Sequence, residues 1–277
     1  MPQMLIFGLG YTAKVLAARL RGEGWTVHAT GRDGDCDFAD RAGVESALGE
    51  SSHVLSSVPP VPVGGDPVLD VYGAMLGGKW LGYLSSTGVY GDTGGAWVDE
   101  TAPIGTGRRT ARSEADLAWQ AAGAHVFRLP GIYGPGRSPL DRVASGAAHR
   151  IALPGQVFSR VHVADIASGV IAGFAAPAGV YNLADDLPVS QNAVIEEACR
   201  LLGRAPPPLL SLEEANLSPM ARAFYAENRR VANGKARRVL VWAPLYPTYV
   251  AGLRALSATI SPASASAPPP AASAVQR

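Results

Sequence analysis

The sequence has almost no excess of charge of either sign. Of its 277 residues, 24 are Lys or Arg and 23 are Asp or Glu, which gives a formal net charge of +1 with the His residues neutral. Nucleic-acid-binding proteins usually carry a basic surface, so this balance argues against nucleic acid as a partner. With 47% hydrophobic and 17% charged residues, the composition predicts one large globular domain, or a domain with a lobe.

Long apolar runs are also absent from the sequence. The run around Val170 to Val180 is typical, because Gly and Pro break it well before the roughly 18 residues that a membrane helix needs. The start of the sequence, MPQMLIFGLG, has no basic segment and leads directly into a glycine-rich turn, so no secretory leader is expected. We therefore expect a cytoplasmic protein that does not bind membranes.

Cysteine is scarce. Cys36 and Cys199 lie far apart, and neither belongs to a CxxC motif or to a local cluster of Cys and His. This argues against a disulfide framework and against a zinc site, so we expect two reduced structural thiols and no metal. His28 lies in an apolar run and is expected to be a core residue.

Short apolar runs typical of β-strands alternate with helical patterns, which favours a doubly wound α/β fold of the Rossmann type with a parallel sheet. The predicted strands are Met4–Phe7, Trp25–Thr30, His53–Val58, Trp80–Ser85 and His125–Leu129. Later helices are predicted near Ser138–Arg150, Val163–Ala175, Ser190–Gly203 and Ser218–Glu227.

These patterns divide the chain into three parts. Residues 1–132 and 160–184 are expected to form the dinucleotide-binding core, and residues 133–159 and 185–256 a smaller substrate lobe. Ligands of open α/β sheets bind beyond the carboxyl ends of the strands, so the expected site is a cleft between core and lobe. Residues 257–277 are a mixture of Ala, Ser and Pro and are expected to be a disordered tail.

A GxGxxA turn, Gly8–Ala13, follows the first predicted strand and precedes a helical run. Gly8 permits a tight turn, Gly10 allows the backbone to approach a pyrophosphate, and Ala13 permits close packing of helix on strand. Tyr11 and Thr12 begin the helix, whose N–H groups and partial positive charge attract phosphate. The turn predicts dinucleotide binding. The alternative is an ordinary strand-to-helix turn with a chance pair of glycines.

The end of the second predicted strand indicates which dinucleotide is bound. NAD-selective sites place an acidic residue there to bind the ribose 2′-hydroxyl, but this sequence has Thr30, Gly31 and Arg32. Arg32 favours NADP, although NAD stays open because Asp33 follows it. The alternative interpretation of Arg32 is a solvated loop cation.

Six segments follow one another along the sequence: GLGYTA at Gly8–Ala13, LSSTGVYG at Leu84–Gly91, FRLPGIYGPGR at Phe127–Arg137, RVHVADIA at Arg160–Ala167, YNLADDLPVS at Tyr181–Ser190 and NGKARRVLVWAP at Asn233–Pro244. Together and in this order, they resemble the extended short-chain dehydrogenases/reductases of the NAD-dependent epimerase/dehydratase group. The resemblance implies that Asp37 lies at the adenine edge and that Ser86 faces the substrate oxygen. It also implies that Pro130 and Ile132 line the nicotinamide, and that the protein can form a homodimer.

The sequence departs from this group at its catalytic pair. Members usually carry Tyr-x-x-x-Lys about two dozen residues after the serine, but here Thr110 and Glu114 occupy those positions. The three lysines are Lys14, Lys79 and Lys235, and none follows a tyrosine by four residues. Threonine can orient a substrate but does not titrate near neutral pH, and an anion raises the pKa of a neighbouring acid. The alternative is an exposed helix with two polar residues.

Several other residues are candidates for the site. Tyr133 and Tyr90 are candidate proton donors, although core packing is the stronger interpretation of both. Arg137 and Arg160 are candidates to bind an anionic or nucleotide-linked substrate, and Trp97 to close over a ring; the alternative for each is a solvated or packed surface residue. The leading hypothesis is an NAD(P)-dependent oxidoreductase or epimerase/dehydratase-like enzyme. The alternative is a noncatalytic NADP(H) sensor, because binding can persist when the catalytic pair is lost.

Overall fold

The computed structural model describes residues 1–62, 65–105 and 110–260. The strands are β1 (Gln3–Phe7), β2 (Thr26–Ala29), β3 (His53–Ser56), β4 (Trp80–Ser86), β5 (Trp97–Val98), β6 (His125–Leu129), β7 (Gly131–Tyr133), β8 (Arg150–Ile151), β9 (Arg160–His162), β10 (Gly179–Asn182), β11 (Leu209–Leu210) and β12 (Arg230–Val231). The helices are α1 (Tyr11–Gly22), α2 (Arg41–Glu50), α3 (Pro67–Tyr72), α4 (Thr110–Ala121), α5 (Pro139–Ala144), α6 (Val163–Ala172), α7 (Gln191–Leu201), α8 (Pro219–Phe224), α9 (Gly234–Val239) and α10 (Tyr249–Ile260).

Six strands form a parallel central sheet in the order β10-β6-β4-β3-β1-β2. The chain leaves β1 to form β2 on one side, and then crosses to form β3 on the other side of β1. The order of the strands therefore reverses at β1, and the carboxyl ends of β1 and β3 flank the crevice where ligands bind in such sheets. The predicted Rossmann-type α/β fold is confirmed, and each of the five predicted strands occurs.

Helices cover both faces of this sheet, which is why its strands are apolar along most of their length. On one face, Leu16 and Leu20 of α1 pack with Ile166 of α6. On the other face, Leu48 of α2 and Trp119 of α4 belong to a second buried cluster. β6 is buried at every position, as expected for a central strand.

Residues of the predicted lobe form a smaller, separate core where α5, α7 and α10 meet. Leu140, Val194 and Leu253 are buried at its centre. α5 begins with a capping box in which the side chain of Ser138 accepts a hydrogen bond from the backbone of Asp141, and the Asp141 carboxylate accepts one from the backbone of Ser138.

The structure shifts two of the predicted boundaries. Ala236, Leu240 and Trp242 fall in the predicted lobe, yet they are buried in the cluster that packs against the central sheet. The predicted tail begins at residue 257, but α10 continues to Ile260. Residues 261–277 lie outside the described residues. Within the described residues, no helix is both long enough and apolar enough to span a bilayer.

Candidate active site

A cleft of about 1070 Å³ lies between the carboxyl ends of the central strands and the lobe, and we call it the central cleft. On the core side, its wall includes the start of α1, the end of β4 and the segment that follows β6. Side chains from α5, α8 and the segments around β8 and β9 form the lobe side. The predicted residues in its wall are Gly10, Tyr11, Thr12, Ser86, Pro130, Ile132, Tyr133, Arg137 and Arg160.

The glycine-rich turn at Gly8–Ala13 is fixed by the neighbouring strands. Gly8 has a φ of +86°, which favours glycine, and a Cβ there would lie 3.1 Å from Cγ2 of Val58. Its N–H donates to Oγ1 of Thr30 at 3.1 Å, and its carbonyl accepts from Oγ of Ser57 at 2.6 Å. The turn is therefore tied to the residues that follow β2 and β3.

Gly10 has a different role in the same turn. It is the N-cap of α1, with an ordinary φ of −83° and no side-chain cap, and a Cβ at this position would meet nothing within 4 Å. Ala13, in the first turn of α1, is buried in the core cluster of the sheet. Because the first turn of α1 contains no acidic residue, its N–H groups and helix dipole can bind an anion at the central cleft.

A second pocket of about 510 Å³ lies beyond β2, and we call it the side pocket. Its wall includes Arg32, which is exposed, and Asp37, whose Oδ1 accepts a hydrogen bond from the N–H of Ala39 at 3.0 Å. Nζ of Lys14 lies 2.5 Å from Oδ2 of Asp33, and this hydrogen bond lowers the pKa of Asp33. Lys14 therefore offsets the carboxylate that stands next to Arg32 in the sequence.

Ser86 is the last residue of β4, and Oγ accepts a hydrogen bond from the N–H of Gly88 at 3.1 Å. Within the described part of the chain, its hydroxyl proton has no acceptor and is left for another one, such as a substrate oxygen. Ser86 is in register with Leu129 on the adjacent strand β6, so Pro130 follows directly beside it. This pairing brings the predicted substrate-facing serine to the predicted nicotinamide wall.

A buried ionic network supports this end of β4. The guanidinium of Arg128 makes two bonds to the carboxylate of Asp116, at 2.7 and 3.0 Å. Oγ of Ser85 donates to the same carboxylate at 2.5 Å. The phenol of Tyr90 accepts from Arg128 at 3.0 Å and donates to Asn182 at 2.8 Å. Tyr90 is therefore a packing residue and is not free to protonate a substrate.

The structure does not place Thr110 and Glu114 in the central cleft. Both are exposed on α4, and Arg112 is the α4 residue that reaches the cleft wall. Positions i and i+4 share a helix face, but spacing alone did not show which face turns toward the cleft. Trp97 is also outside the cleft wall and is 59% exposed on β5.

Tyr133 lines the central cleft, but its hydroxyl lies against α10. The hydroxyl oxygen is buried, and it has no hydrogen-bond partner within the described part of the chain. A Cβ at Gly252 would lie 2.0 Å from that oxygen, so glycine is what lets α10 pack over the phenol. Burial also raises the pKa of Tyr133, but it is the buried position of the hydroxyl against α10 that argues against Tyr133 as the proton donor.

Arginines give the lobe side of the central cleft an excess of positive charge. Arg137 lies over the ring of Tyr11, with Cζ 5.7 Å from the ring centroid, and Arg142 also lines the wall. Of the acids in the same wall, Asp141 serves in the α5 capping box, and Oε2 of Glu227 lies 2.9 Å from the guanidinium of Arg229. An anionic group is therefore the substrate feature that this wall would attract.

Arg160 has a more structural environment than the sequence indicates. It is 6% exposed, and its guanidinium donates to the carbonyls of Phe158 and Val189 and to Oε1 of Gln191. Burial lowers its pKa to about 10, so it still carries its charge at neutral pH. These bonds hold β9 against the start of α7.

The sequence analysis missed His149 and Tyr225, which meet in the wall of the central cleft. Nε2 of His149 is 3.3 Å from the hydroxyl of Tyr225. Burial and the nearby Arg142 lower the pKa of His149, so its imidazole is neutral at neutral pH. The two residues are 76 positions apart and neither lies in a motif, so no local pattern predicts their contact.

Comparison with solved structures places the chain in a fold class. It is 42% identical to a functionally unknown conserved protein from Silicibacter pomeroyi DSS, over 94% of this chain and 99% of that one, with a TM-score of 0.83. It is 21% identical to a putative NAD-dependent epimerase/dehydratase from Methylobacillus flagellatus, over 94% and 98% of the two chains, with a TM-score of 0.71. UDP-glucose 4-epimerase from Thermus thermophilus, solved in complex with NAD, is 21% identical over 92% and 97%, with a TM-score of 0.69.

Comparison with protein-family models and with curated proteins finds no match. The parallel sheet, the glycine-rich turn and the solved structures together define a Rossmann-type protein with the fold of the extended short-chain dehydrogenases/reductases, as predicted. Within that fold class, the chain belongs to the same family as the Silicibacter pomeroyi protein.

Proposed function

We propose that the protein is an NADP-dependent oxidoreductase that acts on a carbonyl or alcohol group of a small anionic substrate. The observation that carries this proposal is that one cleft contains the phosphate-binding turn at Gly10, the hydroxyl of Ser86 and the arginines of the lobe. The similarity to a Thermus epimerase solved with NAD supports a nicotinamide dinucleotide as the cofactor. The positive wall supports an anionic substrate, such as an acid or a nucleotide-linked sugar.

The residues of the chain fit this cofactor at each end. The uncapped N–H groups at the start of α1 would bind the pyrophosphate, and Arg32 in the side pocket would bind a 2′-phosphate. Pro130 and Ile132 would form the apolar wall for the nicotinamide. When bound, the dinucleotide supplies or accepts the hydride, and the chain orients the reactants and moves the proton.

Arg32→Ala is expected to weaken NADPH binding by about 10- to 100-fold, the range given by one lost charged hydrogen bond. NADH has no 2′-phosphate, so its affinity is expected to change little. The measurement is isothermal titration of both nucleotides into both proteins. Arg200→Ala is a matched control, because Arg200 is exposed on α7 and bonds to Glu197. An equal loss of affinity for NADPH and NADH in Arg32→Ala would contradict the proposal that Arg32 binds the 2′-phosphate.

The proton needs a source other than the usual Tyr and Lys pair. Among the described cleft residues, Tyr225 and His149 form a hydrogen-bonded pair that can relay one. Two contacts connect Tyr225 with the predicted nicotinamide wall. The ring of Phe158 lies 5.8 Å from the ring of Tyr225. The carbonyl of the next residue, Ser159, accepts a hydrogen bond from the N–H of Gly131, which stands between Pro130 and Ile132 in the sequence. We therefore propose that the Tyr225 hydroxyl protonates the substrate oxygen, that neutral His149 exchanges the proton, and that Ser86 orients the substrate.

Tyr225→Phe is expected to lower kcat by at least about 100-fold, the usual loss for a general acid, and to leave the Kd for NADPH unchanged. The assay follows NADPH oxidation with a panel of keto acids, phosphorylated carbonyl compounds and nucleotide-linked sugars. Tyr246→Phe is a control for the loss of a phenol outside the cleft wall. An active substrate whose kcat is the same in Tyr225→Phe would remove Tyr225 from the proposed mechanism.

A noncatalytic NADP(H) sensor is the second candidate function. The observation that favours the sensor is the position of Thr110 and Glu114. The usual Tyr and Lys pair would act in the cleft, but Thr110 and Glu114 are exposed and lie outside the cleft wall. NADPH binding without oxidation by any compound in the panel would support the sensor and count against the oxidoreductase.

A further inference from the structure

Three side chains with metal-binding atoms meet at the edge of the central sheet. They are His28 in β2, Asp35 and Cys36, and one ligand atom from each lies within 4.8 Å of the other two. Nδ1 of His28 is already 2.7 Å from Oδ2 of Asp35. His28 is only partly buried, so its prediction as a core histidine is wrong. No local pattern showed the cluster, because His28 and Asp35 are seven positions apart and match no metal-binding motif.

Two glycines bring these residues together. Gly31 has a φ of +116°, which other residues rarely adopt, and it turns the chain after β2. Gly34 then passes so close to the strand that a Cβ there would lie 2.1 Å from the carbonyl oxygen of Ala29. The chain can therefore fold back over its own edge strand only with glycine at this position.

Backbone contacts fix the returning segment. The N–H of Cys36 donates to the carbonyl of Ala29 at 3.1 Å, and Cys36 forms a parallel bridge with Thr30. Oδ1 of Asp35 accepts from the N–H of Ala29 at 2.7 Å. The carboxylate therefore has one oxygen bound to the strand and the other facing His28, so the fold itself holds the three side chains close together.

We propose that His28, Asp35 and Cys36 bind a divalent transition-metal ion, with zinc as the best match. Imidazole nitrogen, carboxylate oxygen and thiolate sulfur are the three ligand types that zinc takes in proteins, and three protein ligands leave a fourth position for water. A thiolate and an imidazole do not suit magnesium or calcium, which bind oxygen. The thiolate and the carboxylate together carry two negative charges, which balance a divalent ion.

The metal would fasten the edge of the sheet beside the side pocket, whose wall also contains Asp35 and Cys36. Because the three ligands are brought together only in the folded chain, metal binding is expected to stabilise the fold. The metal would also replace the hydrogen bond between His28 and Asp35. The site does not depend on the proposed oxidoreductase function, and its test requires neither a nucleotide nor a substrate.

The test uses the full chain without an affinity tag, stripped of metal by a chelator and titrated with Co²⁺. We expect one Co²⁺ per chain, with the near-ultraviolet absorption of a thiolate bonded to cobalt, and displacement of that cobalt by Zn²⁺. The absorption should persist in Cys199→Ser, because Cys199 is buried in α7, away from the cluster. It should be absent in Cys36→Ser.

A second variant keeps the proposal testable if Cys36→Ser does not fold. His28→Gln leaves the thiol in place and is expected to weaken Zn²⁺ binding by more than tenfold, since even the loss of a residue that only supports a ligand costs that much. Zn²⁺ should also raise the Tm of the wild type and of Cys199→Ser, but not that of Cys36→Ser. No cobalt–thiolate absorption in the wild type, or equal Zn²⁺ affinity in His28→Gln, would overturn the proposal.

Discussion

Asp116→Ala is expected to lower the free energy of unfolding by about 3–5 kcal/mol, because it leaves a buried charge without its partner. Asp116 is completely buried and Arg128 is 2% exposed. The guanidinium would lose both carboxylate contacts and keep its bond to Tyr90. Ser85 would lose its acceptor at the same time, so the end of β4 that carries Ser86 would be weakened as well.

Urea denaturation measures this loss, and two further proteins identify its cause. The double variant Asp116→Leu/Arg128→Met removes both charges and is expected to be more stable than Asp116→Ala. Glu45→Ala breaks the exposed pair of Arg41 and Glu45 on α2 and is expected to cost less than about 0.5 kcal/mol. If Asp116→Ala lowers the free energy of unfolding no more than Glu45→Ala does, the buried network does not stabilise the protein to the expected extent.

Asp185→Asn is expected to gain stability relative to the wild type as pH rises. Asp185 is 2% exposed, and neither carboxylate oxygen has a well-formed hydrogen bond within the described part of the chain. Burial raises its pKa from 3.8 to about 7, and the charge of Arg160 offsets only part of this shift. Because the pKa of Asp185 is higher in the folded protein than in the unfolded chain, the contribution of Asp185 to the stability of the wild type is fully present below pH 3.8. That contribution is lost as pH rises through about 7.

The size of this effect follows from the same shift. A change of roughly three pKa units corresponds to about 4 kcal/mol, so the stability of Asp185→Asn minus that of the wild type should grow by up to this amount between about pH 4 and pH 8. Urea unfolding of both proteins across that range measures the difference. A difference that is constant with pH would show that Asp185 does not titrate as a buried carboxyl.

The sheet and the position of the glycine-rich turn at its carboxyl end could be predicted from the sequence because their signals are local. Each strand of the core is a short apolar run, and Gly8 and Gly10 have their characteristic spacing between a strand and a helix. Helix spacing also put Thr110 and Glu114 on one face of α4. It could not show that this face is exposed, because the packing of α4 against the sheet decides the orientation.

The remaining parts of the site depend on contacts between distant segments. Tyr225 and His149 meet only after the lobe has folded. Trp242 packs against the core of the sheet, although the sequence around it was predicted to belong to the lobe. The meeting of His28 with Cys36 depends on how closely Gly34 approaches β2. A single sequence gives the residue types at these positions but not the three-dimensional proximity that makes them candidate sites.

Titration of NADPH into Gly10→Val tests the central claim, that the turn at Gly8–Ala13 binds a dinucleotide, most directly. The backbone at Gly10 suits any residue and the space beside it is open, so we expect the Tm of the wild type but no detectable binding, because the side chain would occupy the approach of the pyrophosphate. Gly49→Val, at an exposed position of α2 with similar open space, should bind NADPH as the wild type does. Equal NADPH affinity in Gly10→Val and in the wild type would contradict the claim.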